Sequence, residues 1–317
     1  MARGESRRAA RPASTLALLL IAGCAGVATD PGAGLTTDAT GHHGTRDELV
    51  IAGPAEIFAP GIASTGFSDV RLTISPDGRT ALWFSRNRPG GAGGYDIWMT
   101  RRSAPGWGPA EPVSFNSGAR DFDPAFTADG RYVYFCSDRA GGSGGDDIWR
   151  VRVTTRGFGE PEHLGNAVNS ARNEWAPMLS PDGRTLLFSS DGHAGAGRMD
   201  LFTSRLEKNG FRLAQALPGD INTVADEFDA TFLADGQNVV FSRAMDIKVD
   251  DVRLFHSVPR RGRYSRGAPL ATTVNTEHSD TYAPMLDWSR KHSLTFTTRR
   301  PPDDARAADV YVVKYRP

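Results

Sequence analysis

The side chains best placed to do chemistry in this chain are five carboxylates. An acidic residue stands eight positions before each of four Asp-Gly dipeptides: Asp69 before Asp77-Gly78, Asp121 before Asp129-Gly130, Glu174 before Asp182-Gly183 and Glu227 before Asp235-Gly236. Asp280 lies one place off that register in a fifth, less regular unit. Carboxylates recurring at one position of a repeat would gather at the mouth of a central channel. Like charges held together focus the field on a cation or on the basic part of a peptide. The same carboxylates can equally accept backbone N–H bonds from the loops preceding them, since acidic side chains are commonly satisfied locally. An aromatic residue follows at four of these places, Phe122, Trp175, Phe228 and Tyr282. At period-two spacing these read as packing between repeats rather than as a stacking platform.

Other candidates are weaker. Arg88 and Arg139 stand beside the runs RPGGAGG and RAGGSGG, candidate loop contacts whose glycine N–H groups can cradle an anion. Such runs more often form hairpin tips. Gly141 to Gly145 spells G-x-S-x-G, but between two strands rather than in the strand–turn–helix that a nucleophile elbow requires. The stretch GGSGGDDIW matches one calcium-binding nonapeptide of a kind that works only in tandem. A weak Ca²⁺ site at Asp146 or Asp147 is therefore the one metal expectation, and no other cofactor is expected. The histidines His42, His43, His163, His193, His256, His278 and His292 show neither H-x-H nor H-E-x-x-H spacing. No zinc site and no Ser-His-Asp set can be assigned.

The elements that must position these residues follow from an internal period. The Asp-Gly turns recur every 52–53 residues, each followed by a short apolar run ending on an aromatic: Phe84, Phe135, Phe188, Phe241 and, degenerately, Phe296. A second apolar run then comes at Asp96-Ile97-Trp98, Asp147-Ile148-Trp149, Asp200-Leu201-Phe202, Arg253-Leu254-Phe255 and Asp309-Val310-Tyr311. A Gly-aromatic turn and a segment ending near Asn116, Asn169, Asn222 or Asn275 complete the first four units. Short alternating runs bounded by Gly, Pro and Asp, with no 3.6-residue period, predict four strands (a to d) per unit and an all-β fold. A lone four-stranded sheet leaves one face uncovered, and radial stacking buries both faces. The expected fold is a five-bladed β-propeller of four-stranded antiparallel sheets. The fifth unit reaches only its third strand, so a segment near Glu56-Ile57-Phe58 is expected to supply the missing one and close the ring, leaving no exposed edge.

The N-terminus reads as an address. Arg3, Arg7, Arg8 and Arg11 precede the short apolar run Leu16 to Ala22, far below the ~20 residues a membrane-spanning helix needs. The run ends in Ile21-Ala22-Gly23-Cys24 and resembles the lipobox of bacterial lipoproteins. That resemblance implies lipidation of Cys24, and Ala25 rather than Asp implies outer-membrane sorting. The alternative is an ordinary cleaved signal peptide with an incidental cysteine. The organisation expected is a leader over 1–23, a flexible tether over 24–48 and the propeller over 49–317. Cys136 then has no disulfide partner and reads as a small core residue in YVYFCS. With 37 basic and 37 acidic residues the chain carries no formal net charge, which argues against a nucleic-acid partner.

Ser75 to Trp98 (SPDGRTALWFSRNRPGGAGGYDIW) and Ala128 to Trp149 (ADGRYVYFCSDRAGGSGGDDIW) together resemble the WD40-like repeat of TolB-type propellers, over about residues 49 to 317. The chain departs from that family in lacking a fitting α/β domain before the propeller, an OmpA-like domain, and the hydrolase domain of prolyl-oligopeptidase relatives. Its fifth repeat has Asp287-Trp288-Ser289-Arg290 where SPDG would stand. Two functions are open. One is a monomeric, lipid-anchored envelope module facing the periplasm that binds a protein, peptide or cell-wall component and is not an enzyme. The other is a glycosidase using channel-mouth carboxylates, which requires two of them in distinct environments roughly 5–10 Å apart. Equivalent repeat positions favour the binding module, because catalysis needs differentiated groups.

Overall fold

Each repeat folds around its Asp-Gly turn. In the computed structural model Gly78, Gly130, Gly183 and Gly236 all take φ of +67° to +71°, a region that costs an L-residue energy. The turn aspartate locks the corner. Asp77 accepts the Arg79 N–H at 3.0 Å and the Ser75 hydroxyl at 2.6 Å, and Asp129 and Asp182 repeat the arrangement. The fifth turn keeps this logic with the roles exchanged, since Asp287 accepts both the N–H (2.9 Å) and the hydroxyl (2.7 Å) of Ser289.

The structure describes residues 48–277, 279–299 and 307–316, together with two paired strands at Thr36–Thr37 and His43–Gly44. The leader and Cys24 lie outside the described residues, as does most of the tether. Five antiparallel sheets follow one another. Strands a to d are Ser68–Ile74, Thr80–Arg86, Tyr95–Ser103 and Glu111–Pro112 in blade 1, and Asp121–Phe126, Tyr132–Ser137, Asp147–Thr154 and Glu162–His163 in blade 2. Blade 3 has Glu174–Leu179, Thr185–Ser190, Asp200–Glu207 and Gln215–Ala216; blade 4 has Asp226–Phe232, Val239–Ala244, Arg253–Ser257 and Ala268–Pro269. Blade 5 takes Thr281–Leu286, Ser293–Thr298 and Asp309–Lys314 from the end of the chain and Glu56–Ile57 from its beginning. Ile57 faces Tyr311, Glu56 faces Val312, and Ile51 bridges to Tyr315, so the ring closes as the repeat arithmetic requires.

Strand d is only two residues long in every blade, and the recurrent asparagine finishes its work. Asn116, Asn169, Asn222 and Asn275 each accept the N–H and donate to the C=O of one strand-c residue, Ile97, Ile148, Leu201 and Leu254, at 2.8–3.0 Å. An amide side chain thus substitutes for a strand residue, which explains its place in the repeat. Between blades, strand b presents a fully buried aromatic opposite the strand-c aromatic: Trp83, Phe135, Phe188, Phe241 and Phe296. Burying each stabilises the fold by roughly 2–3 kcal/mol. In blade 1 this position belongs to Trp83, not to Phe84, which sits one residue further on.

Candidate functional site

The repeated carboxylates do not form an open acidic rim. The side chains of Asp69, Asp121, Glu174 and Glu227 have no solvent exposure, and each is consumed by its own blade. Every one accepts the N–H of the residue four positions earlier, from Thr65, Ser117, Ser170 and Thr223, at 2.5–2.8 Å. Asp69 also accepts from the Thr65 and Ser85 hydroxyls and the Trp83 indole, and Glu174 accepts from the Ser190 hydroxyl at 2.7 Å. An arginine of the same blade supplies a countercharge to three of them, Arg88 at 3.8 Å from Asp69, Arg139 bonded to Asp121 and Arg243 at 2.6 Å from Glu227, and the His193 ring stands 3.8 Å from Glu174. Burial raises the carboxyl pKa of Asp69, Glu174 and Glu227, and these hydrogen bonds oppose the rise. Blade 5 puts the neutral, buried Thr281 at this position. Asp280 instead accepts the Val252 N–H at 3.1 Å and faces Arg299 at 3.7 Å.

Arg88 and Arg139 likewise turn inward. Their guanidinium groups bond the Ile62 and Phe115 carbonyls and stack on Trp98 (4.4 Å) and Phe135 (4.9 Å). Both side chains are largely buried, so they serve the blades rather than present loop contacts. The glycine runs cradle an anion that the protein supplies itself. Ala92 and Gly93 donate to Asp96, Ser143 and Gly144 to Asp147, and Gly197 to Asp200. Asp146 is engaged by Arg120 at 2.7 Å and the Trp175 indole at 2.9 Å. Among the described residues no three His, Cys, Asp or Glu side chains are grouped to hold a metal ion. Cys136 is fully buried and its thiol pKa is pushed well up by that burial.

The differentiated chemistry lies two residues further along strand a. There every blade carries a bulge whose central residue has a left-handed backbone: Arg71, Asp123, Ala176, Asp229 and Ala283, with φ of 48–55°. A bulge adds a residue to one strand and re-aims what it carries. The bulges surround the propeller axis. Arg71, fully buried, donates to the carbonyls of Ala176 (3.1 Å) and Pro177 (3.4 Å) in blade 3 and of Pro284 (3.5 Å) in blade 5. Blades 1 and 3 are not neighbours in the ring, so this arginine crosses the axis.

Next to this crossing is a cavity of about 250 Å³. Its walls are Phe84, Tyr95, Phe122, Trp175, Phe228 and Tyr282, with Arg86, Arg120, Asp123, Asp146 and Asp229 as the charged groups. Asp123 and Asp229 are 5% and 7% exposed. Each accepts a single backbone N–H from the next blade, of Ala176 (3.1 Å) and Ala283 respectively. Neither makes an ion pair among the described residues. Burial, then the nearby Asp229 charge, pushes the Asp123 carboxyl up to about 8; burial also raises Asp229, and Arg71 opposes both shifts. Elsewhere on the axis, the indole of Trp288 in blade 5 donates to the Phe126 carbonyl of blade 2 at 2.8 Å, a second bond between non-neighbouring blades. Arg71 and Trp288 thus each bond across the axis between non-neighbouring blades.

Reading the repeats for likeness misses this site. Asp123 and Asp229 are found only by asking where aligned repeats disagree, since the series Arg, Asp, Ala, Asp, Ala shares a backbone and not a side chain. The aromatics expected as inter-blade packing do join the core at Phe122 and Phe228, and the same rings also wall the cavity.

The fold and this axial cavity define the chain as a five-bladed β-propeller. No family model and no curated relative matches it. Among solved structures it is similar to TolB from Acinetobacter baumannii, at 14% identity and a TM-score of 0.47 over 79% of this chain, of which it spans 55%. It is also similar to an endo-arabinase from Bacteroides thetaiotaomicron (15% identity, TM-score 0.53, 83% of this chain and 98% of that one) and to a thermostable family-43 glycoside hydrolase (8%, 0.53, 81% and 95%). At these identities the likeness is one of fold.

Proposed function

We propose that the chain is a lipid-anchored module of the bacterial envelope, tethered through Cys24 and facing the periplasm, that binds a protein, peptide or cell-wall component in its axial cavity. One observation carries this reading. Asp123 and Asp229 are almost fully buried in an aromatic-walled cavity with one hydrogen bond each. Leaving a buried carboxylate under-satisfied costs free energy, so buried carboxylates are commonly paired. A group that enters from a partner would complete them. Crosslinking in the intact envelope followed by mass spectrometry tests this. A partner recovered with the wild type and lost with Trp175→Ala or Asp123→Asn supports it; a partner unaffected by both substitutions, or no partner at all, refutes it.

A glycosidase is the second reading, favoured by Asp123 alone, whose carboxyl holds its proton at neutral pH as a general acid must. Two propellers of similar fold are a family-43 glycoside hydrolase and an endo-arabinase. Against it, burial raises Asp229 too, whereas acid and base roles need the two values driven apart. Turnover of aryl arabinofuranosides that disappears in Asp123→Asn would favour the enzyme.

A further inference from the structure

We infer that the axial cavity is a receptor for a primary ammonium carried next to a carbonyl or carboxylate oxygen, as in the N-terminal residue of a peptide or a free amino acid. This rests on the cavity being the ligand-receiving site, as proposed above.

The argument is an accounting of charged groups around the cavity. Arg71 spends both terminal nitrogens on three backbone carbonyls, keeps its buried Nε without a partner, and pairs with neither aspartate. Arg120 is bonded to Asp138 and Asp146, and Asp146 also takes the Trp175 indole. Besides the Arg71 Nε, three groups lining the cavity are left with unmet demand among the described residues. Asp123 and Asp229 each hold one N–H and no cation within ion-pair distance. Arg86 lies 5.0 Å over the Tyr95 ring, and its buried Nε has no hydrogen-bond partner. An anion would answer Arg86 and repel the aspartates. A bare ammonium would answer the aspartates and leave Arg86 unmet. A neutral sugar would bring no charge to answer either Asp229 or Arg86. An ammonium beside an oxygen acceptor answers all three, and the aromatic rings add cation–π attraction and apolar contact.

The groups facing Asp123 are Asp229, Arg71 and Asp146, with Cys136 behind it; Arg86, Tyr95, Arg120 and Tyr282 complete the surround. At pH 7 Asp123 holds a proton, and an entering ammonium displaces it. Binding therefore releases protons, and affinity rises from pH 6 to about pH 8, where a peptide α-amino group itself begins to lose its charge.

Calorimetric titration of the full propeller tests this with L-alanyl-L-alanine, its N-acetyl form, L-alanine and N-acetylglucosamine as probes. Dialanine is expected to bind with proton release, shown by a heat that depends on the buffer. N-acetylation and Asp123→Asn should each weaken it at least tenfold, and Arg86→Gln, which removes no structural bond, several-fold. Alanine binding as well as dialanine marks a free amino acid as the ligand; weaker binding marks a peptide end. Equal binding of the N-acetyl form, or binding of N-acetylglucosamine without dialanine, overturns the inference and leaves the cavity as a receptor. Binding of no probe also overturns it. If the envelope partner is then indifferent to Trp175→Ala as well, the receptor reading itself fails.

Discussion

Two sets of carboxylates sit two residues apart on the same strands, and their surroundings differ. Asp69, Asp121, Glu174 and Glu227 occupy one repeat position and share one solution: an N–H from four residues back and an arginine or histidine of the same blade. Asp123 and Asp229 occupy a position the other blades fill with Arg71, Ala176 and Ala283, and they have one N–H each. The bulge itself is common to all five blades, so the backbone requires no carboxylate there. What repeats holds the blades together; what breaks the repeat faces the cavity. A propeller can therefore be searched for its site by subtracting its own consensus.

The comparison is broken most directly by removing a repeated carboxylate. Asp121→Ala leaves Arg139, 13% exposed, without its anion and the Ser117 N–H without an acceptor. The expected loss is about 3–5 kcal/mol of unfolding free energy by urea denaturation, as for one partner of any buried pair. A loss below about 1 kcal/mol would mean that the pairing is incidental.

Asp123 should behave in the opposite sense. Its folded pKa, about 8, lies above the ordinary 3.8. The native state then binds more protons than the unfolded state between those values, and stability falls as pH rises from about 4 to 8. Asp123→Asn removes that penalty. The variant is expected to match the wild type near pH 4.5 and to exceed it by a few kcal/mol at pH 9. A variant less stable at pH 9 would place Asp123 with the structural set.

A third, smaller effect belongs to the asparagine that stands in for strand d. Asn169→Ala removes two bonds to the backbone of Ile148 and exposes no charge. A loss of about 1–3 kcal/mol is expected in thermal unfolding, with no change in ligand binding.

How much of this was legible beforehand follows the same division. The period, the Asp-Gly turns, the strand order and the closing strand at Glu56–Ile57 could all be read, because each is a local backbone demand repeated enough times to be recognised. The repeated acids could be located, and their bonds to N–H groups of the preceding loops could be read as one of two outcomes, but their basic partners could not. Burial of these acids depends on Arg88, Arg139 and His193, which come from b–c loops of variable length, and on Arg243, at the end of strand b. The axial aspartates could not be read as a site at all. Asp123-Pro124 and Asp229-Ala230 look like ordinary strand polarity until a bulge turns them to the axis, and sequence alone does not announce a left-handed residue that is not glycine. Trp288 was hidden for the same reason. It looked like erosion of the fifth repeat, yet it makes a bond between non-neighbouring blades.

The smallest stability effect sharpens the comparison most. Arg86 contributes no hydrogen bond or ion pair from its guanidinium among the described residues, and only its stacking on Tyr95 holds it. Arg86→Gln keeps the apolar stem and removes a charge that makes no direct bond in the free protein, although it partly offsets the Asp229 carboxylate. Unfolding free energy should change by less than about 0.5 kcal/mol, whereas the mutation of Arg139, at the neighbouring blade's repeated ion pair, should cost several times as much. Two arginines on equivalent hairpins of one repeat would then differ because one is spent on the fold and the other is free for a ligand. If Arg86→Gln instead destabilises the protein as much as Arg139→Gln does, the distinction between a structural and a receptive set of charges collapses at its weakest point.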